Sequence, residues 1–239
     1  GAHTALIATD GFRDAVEMGY EHRFDQYDIN IEKPAPLVPR YLRLPVRERC
    51  NATGEILLPL VEDDVRALVP ILREQQIESV AITLIHAYAN DKHERRVAEI
   101  LQAELPELWI TLSSEVCPEI REYERTSTAC ANAYVQPLMA SYLADLDARL
   151  RAEGAQCPLF MMTSGGGLTT VETARRHPIR LVESGPAGGA ILAGRIALEC
   201  GLDKVLSYDM GGTTAKICLI DEGRPQTSRT FEVDRQYRF

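Results

Sequence analysis

The stretch Asp209–Lys216 constrains the fold of this chain most strongly, because it places a Gly-Gly-Thr-Thr sequence between two short apolar segments. Residues 204–208 precede it and residues 217–220 follow it, and both segments have the apolar character of strands. Two strands separated by a glycine-containing turn are typical of a β-hairpin. We therefore predict an antiparallel hairpin here.

The backbone of the predicted turn is suited to an anion. Gly211 and Gly212 have no Cβ, so a phosphate group can approach their N–H groups closely. The hydroxyls of Thr213 and Thr214 add polar groups, and Asp209 offers a carboxylate to a metal ion or to a water molecule. A plain hairpin, in which the glycines serve only the turn, fits these residues equally well.

A stretch of small residues lies just upstream of the hairpin. Residues 184–194 read Ser-Gly-Pro-Ala-Gly-Gly-Ala-Ile-Leu-Ala-Gly and predict the start of a helix that extends to about Glu199. The glycine and alanine positions would let another backbone pack very closely against this helix. A short loop, Gly201–Asp203, then leads into the first strand of the hairpin.

This order of elements resembles the actin-like ATPase superfamily, in which a small-residue helix directly precedes a phosphate-binding hairpin of signature Asp-x-Gly-Gly-Thr. The sequence is more similar still to one branch, the hydantoinase A and 5-oxoprolinase family, which includes the acetone carboxylase beta subunits. The segments that carry the resemblance are spread over essentially the whole chain: Thr9–Asp14, Glu119–Thr128, Ala131–Val135, Ser184–Gly189 and Asp209–Thr214.

The resemblance implies an α/β fold of the actin-like ATPase (ribonuclease H-like) type, with mixed sheets flanked by helices. It implies that residues 1–183 are the remainder of the N-terminal hydantoinase/oxoprolinase lobe and that residues 184–239 begin the second lobe. Ala5–Thr9 reads as a strand already in progress, and residues 230–233 alternate as a strand near the end, so we expect the fold to be incomplete at both ends. The chain alone is expected to bind ATP poorly and to be inactive.

For function, the resemblance implies ATP-dependent hydrolysis of a cyclic amide, such as hydantoin, N-methylhydantoin or 5-oxoproline. An unstrained five-membered lactam is a poor electrophile, and phosphorylation of its carbonyl oxygen would open the carbon to attack. Asp209 is the implied catalytic residue and Mg²⁺ ligand, with ATP as the other cofactor. The implied nucleotide-binding residues are Gly185, Gly188, Gly211, Gly212, Thr213 and Thr214. A hydantoinase B-type subunit or domain is the implied partner, giving a hetero-oligomer.

Two other functions remain open at this point. A subunit of the acetone carboxylase beta type, which phosphorylates a substrate for carboxylation, would share all of these motifs. A non-catalytic assembly lobe that only binds nucleotide would share them too. The sequence does not separate these alternatives, and it leaves the roles of Lys216 and of the charged segment Glu119–Arg125 open. For that segment, composition favours a solvated helix cap.

The rest of the chain predicts alternating helices and strands, and hence a parallel sheet with right-handed crossovers. The predicted elements are a helix over residues 61–72 that Pro70 should kink or split, a strand over 79–85, a helix over 90–104, a strand over 109–112, a long helix over about 126–153 that Pro137 should kink, a strand over 159–162 and a helix over 171–176. The glycine-rich turn Thr163–Gly167 is equally consistent with a ligand position and with a simple chain reversal.

Residues 20–60 are rich in proline and predict an antiparallel insert. We expect strands over Tyr41–Leu44 and Glu55–Leu58, paired around the turn Asn51–Gly54. Four basic residues in this region have apolar neighbours, which favours a solvated strand face over an anion site: Arg40, Arg43, Arg47 and Arg49. His86 follows a buried strand, and a structural role is favoured for it over a catalytic one.

Composition excludes several classes of protein. The net charge of −9 argues against a nucleic-acid-binding surface, where a basic face is expected. No apolar run reaches the roughly 18 residues of a membrane span, and no secretory signal is present, so we expect a cytoplasmic protein. The six cysteines contain no C-x-x-C pair, which argues against structural zinc and favours small buried residues in a reducing compartment.

Overall fold

The computed structural model describes residues 1–19, 27, 29–30, 35–212, 214–228, 232–234 and 237–238. It divides into two compact units, one made of residues 1–139 with the described part of 231–239, and one made of residues 140–230. The division falls inside a long helix. The lobe boundary between residues 183 and 184 that the motifs suggest stays a prediction.

The first unit contains an α/β arrangement. Its elements are β1 (Thr4–Thr9), α1 (Ala15–Met18), β2 (Arg43–Val46), β3 (Arg49–Cys50), β4 (Ile56–Leu58), α2 (Glu62–Glu74), β5 (Ser79–Thr83), α3 (Lys92–Glu104), β6 (Trp109–Leu112), α4 (Ser113–Val116) and the first part of α5 (Glu122–Ala152). Near the end of the chain, β12 (Glu232–Asp234) and β13 (Tyr237–Arg238) form a short antiparallel pair.

A four-stranded sheet with the order β2-β1-β5-β6 forms the centre of this unit, and every pair in it is parallel. All residues of β1 and β5 are buried, as expected for strands covered on both faces. The predicted parallel sheet is therefore confirmed. Helix α2 continues through Pro70 to Glu74 instead of splitting there, because Val69 and Leu72 on either side of the proline are buried.

The predicted pairing of the insert is wrong in one respect. Residues 43–46 do not pair with residues 55–58. They join the main sheet as the parallel edge strand β2. Pro45 is tolerated there because an edge strand has a neighbour on one side only, so a missing backbone N–H can face away from the sheet. The partner of β4 is instead the short strand β3. The turn Asn51–Gly54 is confirmed, since the Asn51 side-chain oxygen accepts hydrogen bonds from the backbone N–H groups of Thr53 and Glu55.

The second unit contains the end of α5 and the elements of the candidate site. They are β7 (Phe160–Met162), β8 (Leu168–Thr170), α6 (Val171–Arg176), α7 (Ser184–Glu199), β9 (Lys204–Met210), β10 (Ala215–Asp221) and β11 (Arg224–Pro225). Strands β9, β10 and β11 form one antiparallel sheet, and β7 pairs with β8 in a separate hairpin. The small-residue helix and the hairpin predicted from the sequence are both confirmed.

Helix α7 packs closely against this sheet, and glycine makes the approach possible. A Cβ added to Gly194 would lie 2.8 Å from the carbonyl oxygen of Gly223, which follows β10, and 3.6 Å from a methyl group of Ile220. Ala190 and Ala197 lie on the same buried side of the helix. The small residues of α7 therefore let a backbone segment pack against the helix, as the sequence predicts.

Candidate functional site

The Gly-Gly turn closes the hairpin of β9 and β10. The last paired residues are Met210 and Ala215, and Asp209 lies directly opposite Lys216 in the register. Across the turn, the backbone N–H of Gly211 donates to the carbonyl oxygen of Thr214 at 2.9 Å. The turn is thus held by a backbone hydrogen bond as well as by its strands.

This bond affects the predicted anion site. The N–H of Gly211 is already donated within the turn, so it can reach a phosphate only if the bond to Thr214 is shared or opened. Gly212 and Thr214 are exposed, and both offer polar groups to solvent. Thr213 lies outside the described residues. The phosphate-binding role of these four residues stays a prediction.

Asp209 is the penultimate residue of β9 and is exposed. Within the described part of the chain, no lysine, arginine or histidine forms an ion pair with it. A free carboxylate beside an exposed glycine turn matches the hard oxygen ligands that Mg²⁺ prefers, and the turn supplies polar groups for phosphate. The residues present therefore fit a Mg²⁺–nucleotide complex.

The start of α7 contains the two predicted glycine positions of the site. Gly185 is exposed, and a Cβ added to it would have no atom within 4 Å, so packing does not require a glycine there. At Gly188 an added Cβ would lie 3.7 Å from Met162, an ordinary contact. Packing among the described residues therefore does not explain glycine at these two positions.

Lys216, which the sequence leaves unassigned, has a defined partner in the structure. Its Nζ lies 2.9 Å from Oε1 of Glu183, and both side chains are about one-third exposed. Glu183 is the residue before α7 and has φ 59° and ψ 23°, in the left-handed region. Sequence reasoning missed Glu183; its only signal was an acidic residue directly before the Ser-Gly-Pro-Ala-Gly-Gly motif.

The glycine-rich turn Thr163–Gly167 joins β7 to β8. The N–H of Thr163 donates to the carbonyl oxygen of Gly167 at 2.8 Å, and Gly166 has φ 82°, a conformation that favours glycine. Chain reversal therefore accounts for glycine at position 166. A ligand role for this turn stays untested.

The charged segment before the long helix is not a solvated cap at Arg125, so that prediction is wrong for this residue. Arg125 is 1% exposed, and its guanidinium donates to the carbonyl oxygens of Leu84, Glu119 and Ile120. It also lies over the ring of Tyr88, at 5.6 Å from the ring centroid. Arg125 therefore ties the start of α5 to the loop after β5.

Arg43 is buried as well, which corrects the prediction of a solvated strand face. Its side chain is 2% exposed and pairs with Asp14 and Glu17, at 3.2 and 2.6 Å. Arg40 and Arg47 are exposed and pair with Asp14 and Asp64. These arginines are used in ion pairs within the first unit.

Glu48 lies at the centre of a further cluster of buried polar side chains. Its carboxylate accepts a hydrogen bond from the hydroxyl of Thr9 and lies 2.7 Å from Nδ1 of His93, which is itself 3.8 Å from the sulfur of Cys50. Burial, and after it the charge of Glu48, raises the pKa of the Cys50 thiol. Zinc takes these ligand types, but the Glu48–His93 contact is a direct hydrogen bond, so we interpret the group as a buried hydrogen-bonded network.

A parallel α/β unit, a small-residue helix and an Asp-x-Gly-Gly-Thr hairpin together define a protein of the actin-like ATPase type. The model of the hydantoinase/oxoprolinase N-terminal region matches residues 1–105, and the hydantoinase/oxoprolinase model matches residues 125–238. The chain belongs to the hydantoinase/oxoprolinase family.

Three relatives illustrate this membership. Caprolactamase subunit alpha of Pseudomonas jessenii is 36% identical, covering 96% of this chain and 33% of the relative. The acetone carboxylase beta subunit of Xanthobacter autotrophicus is 29% identical, covering 93% and 32%. 5-Oxoprolinase 1 of Arabidopsis thaliana is 28% identical, covering 96% and 19%. The chain thus spans a third or less of each relative.

Solved structures agree with the sequence comparison. The crystal structure of the ATP-dependent caprolactamase from Pseudomonas jessenii matches with a TM-score of 0.83 at 37% identity, covering 92% of this chain and 32% of that one. A nucleotide-free structure of acetone carboxylase matches with a TM-score of 0.82 at 28% identity, covering 93% and 33%. None of the helices in the described parts of the chain has the length and apolar character needed to cross a membrane.

Proposed function

We propose that the protein hydrolyses a cyclic amide (hydantoin, N-methylhydantoin or 5-oxoproline) at the expense of ATP, with Mg²⁺. The observation that carries this proposal is the exposed Asp209 carboxylate at the Gly-Gly turn, in a chain of the hydantoinase/oxoprolinase family. The relatives named caprolactamase and 5-oxoprolinase support the substrate class.

Each residue of the site has a proposed task. Asp209 would hold Mg²⁺, because a carboxylate is a preferred ligand of this ion. The turn residues Gly212, Thr213 and Thr214 would donate hydrogen bonds to phosphate oxygens, and Gly211 would join them by sharing the N–H that it donates to Thr214. Gly185 and Gly188 would leave room for the nucleotide beside α7. When bound, ATP would supply the phosphoryl group that passes to the amide oxygen with ADP as the leaving group, so that water can attack the carbonyl carbon and inorganic phosphate is released.

The test of this proposal is the Asp209→Ala variant of the full-length protein. We expect substrate-stimulated phosphate release from ATP to fall roughly 100-fold or more, the range found when a group that stabilises transition-state charge is removed. Asp221→Ala is the matched control, because Asp221 is an exposed aspartate at the opposite end of the same strand pair. Equal rates for wild type and Asp209→Ala would refute the assignment of this turn.

A subunit of the acetone carboxylase type is the second candidate function. The observation in its favour is the likeness to acetone carboxylase, whose TM-score of 0.82 is almost the same as that for caprolactamase. The same site residues would serve both reactions, since both need a phosphorylated substrate.

The proposed partner is a hydantoinase B-type subunit or domain. It is supported by relatives whose names designate subunits, namely caprolactamase subunit alpha and acetone carboxylase beta subunit. We place the assembly in the cytoplasm, where ATP is available.

A further inference from the structure

We propose that Glu183 is a positioning residue that holds the Lys216 ammonium away from Asp209 and so keeps the Asp209 carboxylate available to a divalent cation. This inference rests on the proposed function, because it concerns the metal-binding role of Asp209. It assigns a task to the charged pair that, among the residues described, joins the start of α7 to the hairpin.

The register places Asp209 and Lys216 directly opposite each other on β9 and β10. Directly opposed residues point to the same face of a sheet, with Cβ atoms about 5 Å apart, so these two side chains are natural partners for an ion pair. Their shared face also contains Ile220, which lies against Gly194, so it is the face that α7 covers. Asp209 and Lys216 thus lie at the turn end of the α7 side.

Lys216 nevertheless pairs with Glu183 and not with Asp209. The 2.9 Å contact places its charge at the residue before α7, and the Asp209 carboxylate has no cationic partner within the described ranges of the chain. If Lys216 paired with Asp209 instead, its ammonium would neutralise the carboxylate and compete with Mg²⁺ for it. Glu183 is therefore the residue that decides which carboxylate Lys216 neutralises.

The backbone of Glu183 supports a functional reading of the pair. A residue other than glycine is uncommon at φ 59°, and such conformations persist where the surroundings enforce them, often at functional sites. In this left-handed conformation the Glu183 side chain reaches Lys216. The carbonyl oxygen of Glu183 accepts a hydrogen bond from the N–H of Ala187 in the first turn of α7. The same residue therefore joins the helix to the hairpin.

The test compares three variants of the full-length protein: Glu183→Gln, Lys216→Met and the double variant. The readout is binding of Mn²⁺, used in place of Mg²⁺, in the presence of a non-hydrolysable ATP analogue, measured by electron paramagnetic resonance. We expect Glu183→Gln to weaken Mn²⁺ binding about tenfold. A charge interaction large enough to shift a pKa by one unit also changes a dissociation constant about tenfold. Lys216→Met should bind Mn²⁺ like wild type, and the double variant should recover wild-type affinity.

Recovery in the double variant separates positioning from a structural role, because losing both members of a purely structural pair would not restore binding. Wild-type binding by Glu183→Gln, or a double variant as weak as Glu183→Gln, would overturn the inference. Weakened binding by Lys216→Met alone would overturn it as well, and this variant stays informative even if Glu183→Gln does not fold. A failure of the proposed function has a different signature, namely unchanged Mn²⁺ binding and phosphate release in Asp209→Ala.

Discussion

At the scale of single residues, Glu94 shows how a buried charge is satisfied in the first unit. Its fully buried carboxylate accepts hydrogen bonds from the backbone N–H groups of Leu84 and Ser114 and from the hydroxyls of Ser113 and Ser114. Burial raises the pKa of Glu94, and these four donors oppose the rise because they favour the ionised form. Glu94 thereby joins α3 to the ends of β5 and β6.

The Glu94→Gln substitution is predicted to lower the free energy of unfolding by about 1–3 kcal/mol. An amide group offers one acceptor oxygen in place of two, so at least one buried donor is left without a partner. Urea unfolding followed by the fluorescence of Trp109, the single tryptophan of the chain, measures the change. Glu99→Gln on the same helix, where the side chain is 64% exposed, is the control and should change stability little. Equal stabilities for the two variants would contradict this account.

Burial of charged residues is what the sequence predicts least well at this scale. Arg43 and Arg125 stand in charged segments that read as solvent-exposed, and both are almost fully buried. Each has a partner far away in the sequence: Arg43 bonds Asp14, and Arg125 bonds the carbonyl oxygen of Leu84. The ion pair of Lys216 with Glu183 was missed for the same reason, since no local pattern joins residues on a strand and before a helix.

At the scale of elements, the contact of α7 with the turn after β10 depends on the absence of a side chain at Gly194. We predict that Gly194→Ala destabilises the second unit by about 1–3 kcal/mol, the usual cost of overpacking, because the new Cβ would lie 2.8 Å from a backbone oxygen that cannot rotate away. Thermal unfolding of the purified protein measures this loss.

Gly189→Ala provides the matched control for this prediction. It makes the same substitution in the same helix, at an exposed position where an added Cβ has no atom within 4 Å. Alanine is favoured over glycine in a helix by about 0.5–1 kcal/mol, so this variant should be as stable as wild type or slightly more stable. A Gly194→Ala protein as stable as Gly189→Ala would refute the close approach.

Elements with a strong local signal were predicted well, and those defined by their pairing were not. The alternating apolar segments and the Gly-Gly turn predict β9 and β10, and the small-residue run predicts α7, because these signals lie within the elements themselves. Strand β2 was given the wrong partner, because its contact with β1 joins residues that are far apart in the chain. Helix α2 continues past Pro70 because tertiary packing of buried neighbours outweighs local helix propensity.

At the scale of the whole molecule, the chain covers about a third or less of the length of the relatives it matches, so activity has to be measured on the full-length protein. The net charge of −9 opposes the binding of a polyanion such as ATP, so a phosphate site must be local and built from backbone N–H groups, a metal ion and few cations. The proposed site at the hairpin and the start of α7 would be of this local kind.

The rate of phosphate release from ATP in the presence of different substrates identifies the substrate class. With full-length protein, its candidate B-type partner and Mg²⁺, we expect hydantoin or 5-oxoproline to stimulate release, because a lactam carbonyl needs activation before water can attack it. A ketone with bicarbonate is the matched comparison. The Asp209→Ala variant measures the background phosphate release that does not depend on the proposed site. Stimulation by the ketone alone would establish the carboxylase alternative in place of ours. Release that no substrate stimulates would favour a lobe that binds nucleotide for assembly, since a turnover enzyme must couple ATP consumption to its substrate.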